Sequence, residues 1–217
     1  MKLFLVLIIV SLISIINGAQ YINFQPFSAS GCKGQSAGIG YSILVNECIS
    51  YDQNTTFIFE SNNKNQIKWS KFSKYTGDND CQNTPISQGT FKNNACIKNN
   101  NIAFDSASLP VTNGFYKTSI TNEPVILDNT YVKQYMVEDC TSSNVVMLDY
   151  FTNGTKAVYN STGVPYSYFC SQQNKPYTYT CSIWGCFPSI TATNCQSVSP
   201  FSNSSSEYYY SVYCNTN

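Results

Sequence analysis

Apolar and polar residues alternate with a period of two along most of this chain. In the segment 67–72, Ile67, Trp69 and, less strictly, Phe72 alternate with two lysines. Such alternation predicts antiparallel strands with one buried and one solvated face. The same pattern recurs at residues 21–27, 41–45, 56–59, 131–137, 145–151, 155–159, 166–169, 177–180 and 208–213. Beyond the first 19 residues no window has the period of an amphipathic helix, so the chain is predicted to be all-β.

Turn-forming residues separate these segments. Asn153-Gly154 lies between two of the clearest predicted strands, and Asn-Gly in that position is a strong signal for a β-hairpin. About a dozen short strands joined by regular turns are typical of an antiparallel sandwich or of Greek-key lobes. This is the fold class that we expect.

The first 19 residues have the layout of a secretory signal peptide. Lys2 is followed by an apolar run of about 14 residues, which ends at Ile16, and then by the small and polar residues Asn17, Gly18 and Ala19. The run is short of the roughly 20 residues that span a bilayer. We therefore expect cleavage after Ala19, secretion to the extracellular space and no membrane span.

Ten cysteines lie beyond that predicted cleavage point, and they predict a disulfide framework because the secretory pathway is oxidising. A zinc site is the alternative. It is disfavoured because the chain has no histidine and no C-x2-C pair. The cysteines are Cys32, Cys48, Cys81, Cys96, Cys140, Cys170, Cys181, Cys186, Cys195 and Cys214.

Four N-x-S/T triplets predict N-glycosylation on exposed loops of a secreted protein. Their asparagines are Asn54, Asn153, Asn160 and Asn203.

An internal repeat is visible in the first half of the chain. Cys32 and Cys81 are each followed eight residues later by a glycine, and each unit ends in Asn-x-Cys-Ile. Pairing within the units would join Cys32 to Cys48 and Cys81 to Cys96, and exchanged pairing between the units is the alternative. We expect an N-terminal β lobe at residues 20–105 and a cysteine-rich β lobe at 106–217, with one continuous domain as the alternative.

The N-terminal motif resembles that of small secreted cysteine-rich proteins of social amoebae, a family that is largely uncharacterised. The resemblance rests on Gln20-Tyr21, on Phe27-x4-Cys32-Lys33-Gly34, on Gly40-Tyr41 and on Asn46-x-Cys48. It implies an extracellular protein and supplies no catalytic residue. A weaker similarity, the spacing Phe27-x6-Gly34, resembles βγ-crystallin Greek keys and implies a crystallin-like N-terminal half.

The composition excludes several functions. The net charge is zero, charged residues make up 11% of the chain and arginine is absent, so nucleic acid is not an expected partner. Without histidine, Ser-His-Asp and Cys-His nucleophiles are impossible. We expect no catalytic residues, no cofactor and no metal ligands.

Carboxylates are the remaining candidates for acid–base chemistry. Glu138 and Asp139 lie at a strand end, and Asp78 and Asp80 lie in a turn. A glycan hydrolase needs two carboxylates that face each other across a cleft. Neighbours on a strand point to opposite faces, so Glu138 and Asp139 cannot form that pair. Solvated turn and edge charges are the simpler interpretation.

The segment Asp78-Asn79-Asp80 also resembles the start of an EF-hand calcium loop. The later ligand positions of such a loop do not match, because they hold Gln82, Asn83 and Gly89. The sequence therefore gives no calcium site of this type.

The chain contains seventeen tyrosines. Tyr177 and Tyr179 share one face of a predicted strand, and Tyr208, Tyr209, Tyr210 and Tyr213 cluster near the C-terminus. Exposed tyrosines serve in protein recognition and can stack on sugar rings, whereas buried ones pack between strands. We expect a secreted, non-enzymatic interaction or signalling protein that binds an extracellular protein or glycan. The alternatives are a carbohydrate-binding module and a glycan hydrolase.

Overall fold

The fold is taken from a computed structural model of the chain. It describes residues 18–50, 55–62, 65–73, 81–98, 114–141, 143, 145–158, 164–182, 184–197 and 208–216. The predicted signal peptide lies almost wholly outside these residues.

The described residues form β-strands and no helix, which confirms the all-β prediction. The strands are β1 (Tyr21–Phe27), β2 (Ile39–Leu44), β3 (Cys48–Ser50), β4 (Thr55–Asn62), β5 (Gln66–Ser73), β6 (Ser87–Lys92), β7 (Cys96–Lys98), β8 (Phe115–Thr121), β9 (Thr130–Val137), β10 (Val145–Thr152), β11 (Thr155–Val158), β12 (Pro165–Cys170), β13 (Pro176–Ser182), β14 (Gly185–Ile190), β15 (Gln196–Ser197) and β16 (Tyr208–Asn215).

The strands form three antiparallel sheets. Sheet I has the order β15-β16-β9-β10-β2-β1-β8-β7, sheet II the order β3-β4-β5-β6, and sheet III the order β11-β12-β13-β14. Sheets II and III cover the same face of sheet I. Phe24 of sheet I meets Phe59 of sheet II edge-on at 5.6 Å, and Phe151 of sheet I stacks on Tyr168 of sheet III at 3.9 Å. One apolar core includes residues of all three sheets.

The first eight strands form two units of four strands, and each unit crosses from one of sheets I and II to the other. β1 and β2 lie in sheet I, and the chain then crosses to sheet II for β3 and β4. β5 and β6 lie in sheet II, and the chain crosses back to sheet I for β7 and β8. Each crossing turn contains an asparagine with positive φ, Asn46 at 64° and Asn94 at 60°, a conformation that asparagine tolerates. The Asn-x-Cys-Ile repeat of the sequence is thus a structural repeat.

This crossing explains the disulfide pairing of the first half. The bonds are Cys32–Cys96 and Cys48–Cys81, so the exchanged alternative is found and the pairing within each unit is wrong. The Cα atoms of a disulfide usually lie about 4.4–6.8 Å apart, and those of these two bonds are 5.7 and 5.8 Å apart. Each unit begins at one sheet and ends in the other. The first cysteine of each unit therefore lies next to the last cysteine of the other unit.

The glycines of the sequence repeat are not structurally equivalent. Gly40 pairs across strands with Tyr150, which belongs to the apolar cluster on the outer side of sheet I. Gly89 pairs with Trp69, which points into the core between sheets I and II. The unit from Cys32 has one residue more before its crossing turn, which shifts its glycine to the opposite face of its strand.

Asn153-Gly154 does not form the predicted hairpin. β10 belongs to sheet I and β11 to sheet III, and the two strands do not pair. The Thr152 N–H donates to the carbonyl oxygen of Gly38 at 3.0 Å, which extends the pairing of β10 with β2. The turn, with Gly154 at a φ of 82°, is therefore a corner between two sheets.

The predicted lobe boundary at residues 105 and 106 lies outside the described residues. Sheet I contains strands from both sides of it, with β1 next to β8 and β2 next to β10. The crystallin-like interpretation of the N-terminal half stays a prediction.

Candidate interaction surface

The hairpin of β13 and β14 forms one edge of sheet III, and its strands are joined by the disulfide Cys181–Cys186. The two cysteines are directly opposite each other in the register. A covalent bond at the end of the hairpin restricts the tip, because it closes a loop of only a few residues. The tip is therefore held in place without burial in the core.

Among the described residues of this hairpin, three large apolar side chains lie in solvent. Trp184 at the tip is 84% exposed, and Phe187 and Ile190 of β14 are 58% and 80% exposed. Phe187 and Ile190 are three residues apart on β14, so they point to opposite faces of sheet III and flank its free edge. Exposed apolar side chains grouped at one edge are candidates for contact with a partner. Tryptophan is enriched among the residues that carry binding energy in protein interfaces. We name Trp184, Phe187 and Ile190 the hairpin patch.

The free edge of β14 is unsuited to pairing with a further strand. The Thr191 N–H donates to the Pro176 carbonyl at 3.2 Å, and the antiparallel alternation then turns the nitrogen of Pro188 toward the free edge. Proline has no N–H to donate, and it is a usual means of protecting an edge strand. A partner would therefore contact the side chains of the hairpin patch and would not add a strand to β14 through backbone hydrogen bonds.

The outer face of sheet III carries a second aromatic cluster. Tyr168 of β12 points toward sheet I, so the next residue, Phe169, points away from it. Phe169 stacks on Tyr177 at 5.3 Å and meets Tyr179 edge-on at 5.5 Å. All three rings are half-buried. The predicted shared face of Tyr177 and Tyr179 is thus present, and we name these three residues the outer aromatic cluster.

This part of the chain carries no charge. Between Lys175 and Glu207 the sequence has no acidic or basic residue. The hairpin patch and two of the three rings of the outer aromatic cluster, Tyr177 and Tyr179, therefore lie on a neutral segment. A partner would be recognised here by shape, apolar contact and neutral hydrogen bonds.

A charged group lies in the core between sheets I and III. Asp149 of β10 is buried, its Oδ2 accepts a hydrogen bond from the Tyr135 hydroxyl at 3.2 Å, and its Oδ1 has no partner among the described residues. Burial raises the pKa of Asp149 to about 7, against the opposing effect of Lys133 on the paired position of β9.

The other members of this buried group are perturbed for the same reason. Burial lowers the pKa of Lys133, whose Nζ lies 5.5 Å from the centre of the Tyr168 ring. Burial and the nearby Asp149 raise the pKa of Tyr135 well above its ordinary value. Asp149 is buried between sheets I and III, while Lys133 and Tyr135 beside it are half-buried.

The predicted carboxylate candidates are not brought into an evident site. Glu138 lies in the turn after β9 with a φ of 73°. Asp139 accepts a hydrogen bond from the Thr141 N–H at 2.9 Å, as turn residues commonly do. Asp78 and Asp80 lie outside the described residues. Within the described part of the chain, no cluster of three acidic or cysteine side chains could hold a metal ion.

All ten predicted cysteines form disulfides, which confirms the framework. Besides the three bonds given above, Cys140 pairs with Cys195 and Cys170 with Cys214. The last of these joins sheet III to sheet I. It fixes the sheet that carries the hairpin patch onto the rest of the molecule.

Among the four predicted glycosylation sites, the structure describes Asn153. Its side chain is exposed, and its Oδ1 accepts a hydrogen bond from the Cys170 N–H at 3.2 Å. Asn54, Asn160 and Asn203 lie outside the described residues.

The C-terminal tyrosines pack within the molecule. Tyr208 is buried and its hydroxyl donates to the carbonyl oxygen of Cys48 at 3.5 Å, while Tyr209, Tyr210 and Tyr213 are half-buried on β16. Of the two interpretations given for the tyrosines, packing between strands therefore applies to this cluster, rather than exposure for recognition.

Sequence reasoning missed Trp184 and Asp149. A tryptophan between the two most closely spaced cysteines was the available signal for the first residue. The signal for the second was a single charge within the apolar segment 145–151.

In the part of the chain that the structure describes, no helix has the length and apolar character needed to cross a membrane.

Comparison with known proteins gives two matches. A protein-family model described as "Counting factor-associated protein A/B/C" matches residues 1–208. A protein of Dictyostelium discoideum described as uncharacterized is 35% identical over 199 residues, which cover 86% of this chain and 64% of the relative. The chain thus spans less than two thirds of the length of that relative. No solved structure matches.

Proposed function

Because the chain belongs to the counting factor-associated protein A/B/C family, we propose that it is a secreted, non-enzymatic protein that associates with counting factor outside the cell. The family name supplies the partner, and the hairpin patch supplies the contact. The exposure of Trp184, on a hairpin that a disulfide holds in place, is the observation that carries this proposal.

Three features support it together. The signal-peptide layout and the five disulfides are consistent with the extracellular space. The neutral, aromatic character of the hairpin suits a protein interface, where aromatic residues are enriched and charges are depleted at the centre. Among the described carboxylates, Asp149 is buried, and Glu138 and Asp139 are neighbours in the turn after β9, which suits solvated turn charges.

The test is recovery of a C-terminally tagged chain from the medium of Dictyostelium discoideum cells, followed by detection of counting factor in the purified material. We expect both proteins in the wild-type sample, and counting factor reduced at least tenfold for Trp184→Ala. Ile86→Ala is the matched control, because Ile86 is 59% exposed and precedes β6 of a different sheet. Retention of the chain in the cells, or equal recovery of counting factor by all three chains, would contradict the proposal.

A carbohydrate-binding module is the second candidate. The outer aromatic cluster favours it, because half-exposed rings on one sheet face can stack on the apolar faces of sugars. A glycan array separates the two proposals. Binding that is lost in Tyr179→Ala and kept in Trp184→Ala would support the carbohydrate interpretation.

A further inference from the structure

The turn Asn153-Gly154 places a predicted glycosylation site beside the outer aromatic cluster. A Cβ atom built on Gly154 would lie 3.5 Å from Cε1 of Phe169, so the Phe169 ring covers this glycine. Gly154 also donates its N–H to the Tyr168 carbonyl at 2.8 Å, which holds the corner against β12. The residue before it, Asn153, accepts a hydrogen bond from the backbone of Cys170, the residue after Phe169, and so lies beside Phe169.

The hydrogen bond of Asn153 orients its amide. Its Oδ1 accepts from the Cys170 N–H at 3.2 Å, and the amide nitrogen Nδ2 takes no part in that bond. Nδ2 is the atom to which an N-linked glycan is attached. The side chain is thus held by its oxygen and presents its nitrogen, at an exposed corner of the molecule.

We propose that Asn153 carries an N-linked glycan whose first N-acetylglucosamine packs on Phe169 at the margin of the outer aromatic cluster. In the attachment step, the Asn153 Nδ2 forms a bond to C1 of a lipid-linked oligosaccharyl diphosphate. The C1–O bond breaks, the lipid diphosphate leaves and Nδ2 releases one proton. The step needs passage through the secretory pathway, so it rests on the proposed function.

Several features make Phe169 the contact for this sugar. The ring already stacks on Tyr177 at an interplanar angle of 12°, so its orientation is set before a sugar arrives. Packing on a ring that is already ordered costs little further conformational entropy. Phe151, two residues before Asn153, is fully buried toward Tyr168 and is not accessible to a sugar.

This placement assigns different roles to the two aromatic groups of sheet III. The chain's own glycan would cover the outer aromatic cluster near Phe169. The hairpin patch, around Trp184 and on the opposite side of the sheet from β11, would stay open to a partner.

The experiment uses the full chain, with Asn54, Asn160 and Asn203 replaced by Gln, secreted from a glycosylating eukaryotic host. Enzymatic release of the glycan in heavy-oxygen water followed by peptide mass spectrometry marks an occupied Asn153. Melting temperatures are then compared for three forms: intact, trimmed to a single N-acetylglucosamine, and fully deglycosylated. We expect an occupied site, equal values for the first two forms and a value lower by roughly 2–4 °C for the third.

Phe169→Leu keeps an apolar side chain and removes the aromatic plane, so the difference between trimmed and deglycosylated protein should fall below about 1 °C. Phe187→Leu is the matched control and should keep the full difference, because Phe187 lies on the far strand of the same sheet. An unoccupied Asn153 in secreted protein, or the same difference in Phe169→Leu as in the parent, would overturn the inference and leave the proposed function standing. A chain that is not secreted would contradict both.

Discussion

At the scale of single residues, Asp149 shows how a charge can be held inside an apolar sheet. Its carboxylate receives one hydrogen bond, from Tyr135, and lies opposite Lys133 on the neighbouring strand. Removal of a carboxylate from water without full hydrogen bonding favours its protonated form. The proton that Asp149 binds in the folded state makes stability depend on pH.

The sign of that dependence follows from the pKa of Asp149, which rises from 3.8 in the unfolded chain to about 7 in the folded one. Between these values the folded state binds more protons, so this residue lowers the free energy of unfolding as the pH rises from 4 to 7. A shift of that size corresponds to about 4 kcal/mol.

We therefore predict that Asp149→Asn removes a downward slope of stability between pH 4 and 7. Urea unfolding at several pH values, monitored by tryptophan fluorescence, measures the slope. Glu123→Gln is the control and should keep the slope, because Glu123 is an exposed carboxylate outside the group of Asp149, Lys133 and Tyr135. Identical slopes for wild type and Asp149→Asn would refute the buried position of this carboxylate.

Gly40 provides a second test of one residue. A Cβ atom there would lie 2.1 Å from Cζ of Tyr150, whose ring is fully buried on the outer face of sheet I. Overpacking of this kind costs about 1–3 kcal/mol. Gly40→Ala should lower the free energy of unfolding by that amount, as measured by urea denaturation. A variant as stable as the wild type would contradict the cross-strand contact of Gly40 with Tyr150.

At the scale of elements, the strands that sequence reasoning identified are those with one buried face. Ile67 and Trp69 of β5 alternate as predicted and point into the core between sheets I and II, whereas Phe72 is buried on the other face of the strand. The sequence did not identify β14, because every residue of that strand is exposed and it therefore has no alternation to detect. The site was missed for the same physical reason that makes it accessible.

The corner at Asn153-Gly154 shows a second limit of what the local sequence can predict. Asn-Gly predicts the local reversal correctly, but a reversal does not decide which sheet the next strand joins. That choice depends on Gly38, 114 residues away from Thr152, which takes the hydrogen bond that a hairpin would have used. Contacts so distant in sequence leave no local signal.

The disulfides of sheet III permit a prediction about elements. Cys170–Cys214 closes a sequence separation of 44 residues and joins two sheets, whereas Cys181–Cys186 closes a separation of 5 within one hairpin. In the chain-entropy account the first contributes about 4 kcal/mol and the second about 2 kcal/mol.

Replacement of Cys170 and Cys214 by serine should therefore destabilise the protein roughly twice as much as replacement of Cys181 and Cys186. Guanidinium unfolding of both variants measures the difference. Removal of the hairpin bond should also weaken binding at Trp184 while the other sheets stay folded. A larger loss of stability from Cys181 and Cys186 would contradict the account.

At the scale of the whole molecule, the exchange of strands between sheets I and II is the feature that organises the first half. The sequence repeat predicted two related units, and it left open whether each unit is closed on itself. Only the three-dimensional crossing after Asn46 and Asn94 decides between the two disulfide schemes. The cysteines were thus predictable as a set, and their partners were not.

Peptide mapping without reduction should detect a peptide that contains Cys32 joined to one that contains Cys96, and likewise Cys48 joined to Cys81. The digest must be kept at acidic pH so that thiolates do not reshuffle the bonds. Detection of Cys32 joined to Cys48 would contradict the strand exchange.

The central claim is that the hairpin patch, held by Cys181–Cys186 on a rigid disulfide-bonded body, binds counting factor. Titration of purified counting factor with the secreted chain measures it most directly. Wild type and the control Ile86→Ala should bind with the same Kd, and Trp184→Ala, with an unchanged circular dichroism spectrum, should bind at least tenfold more weakly, as expected for an exposed aromatic anchor. An unchanged Kd for Trp184→Ala, or the absence of binding by the wild type, would contradict the claim.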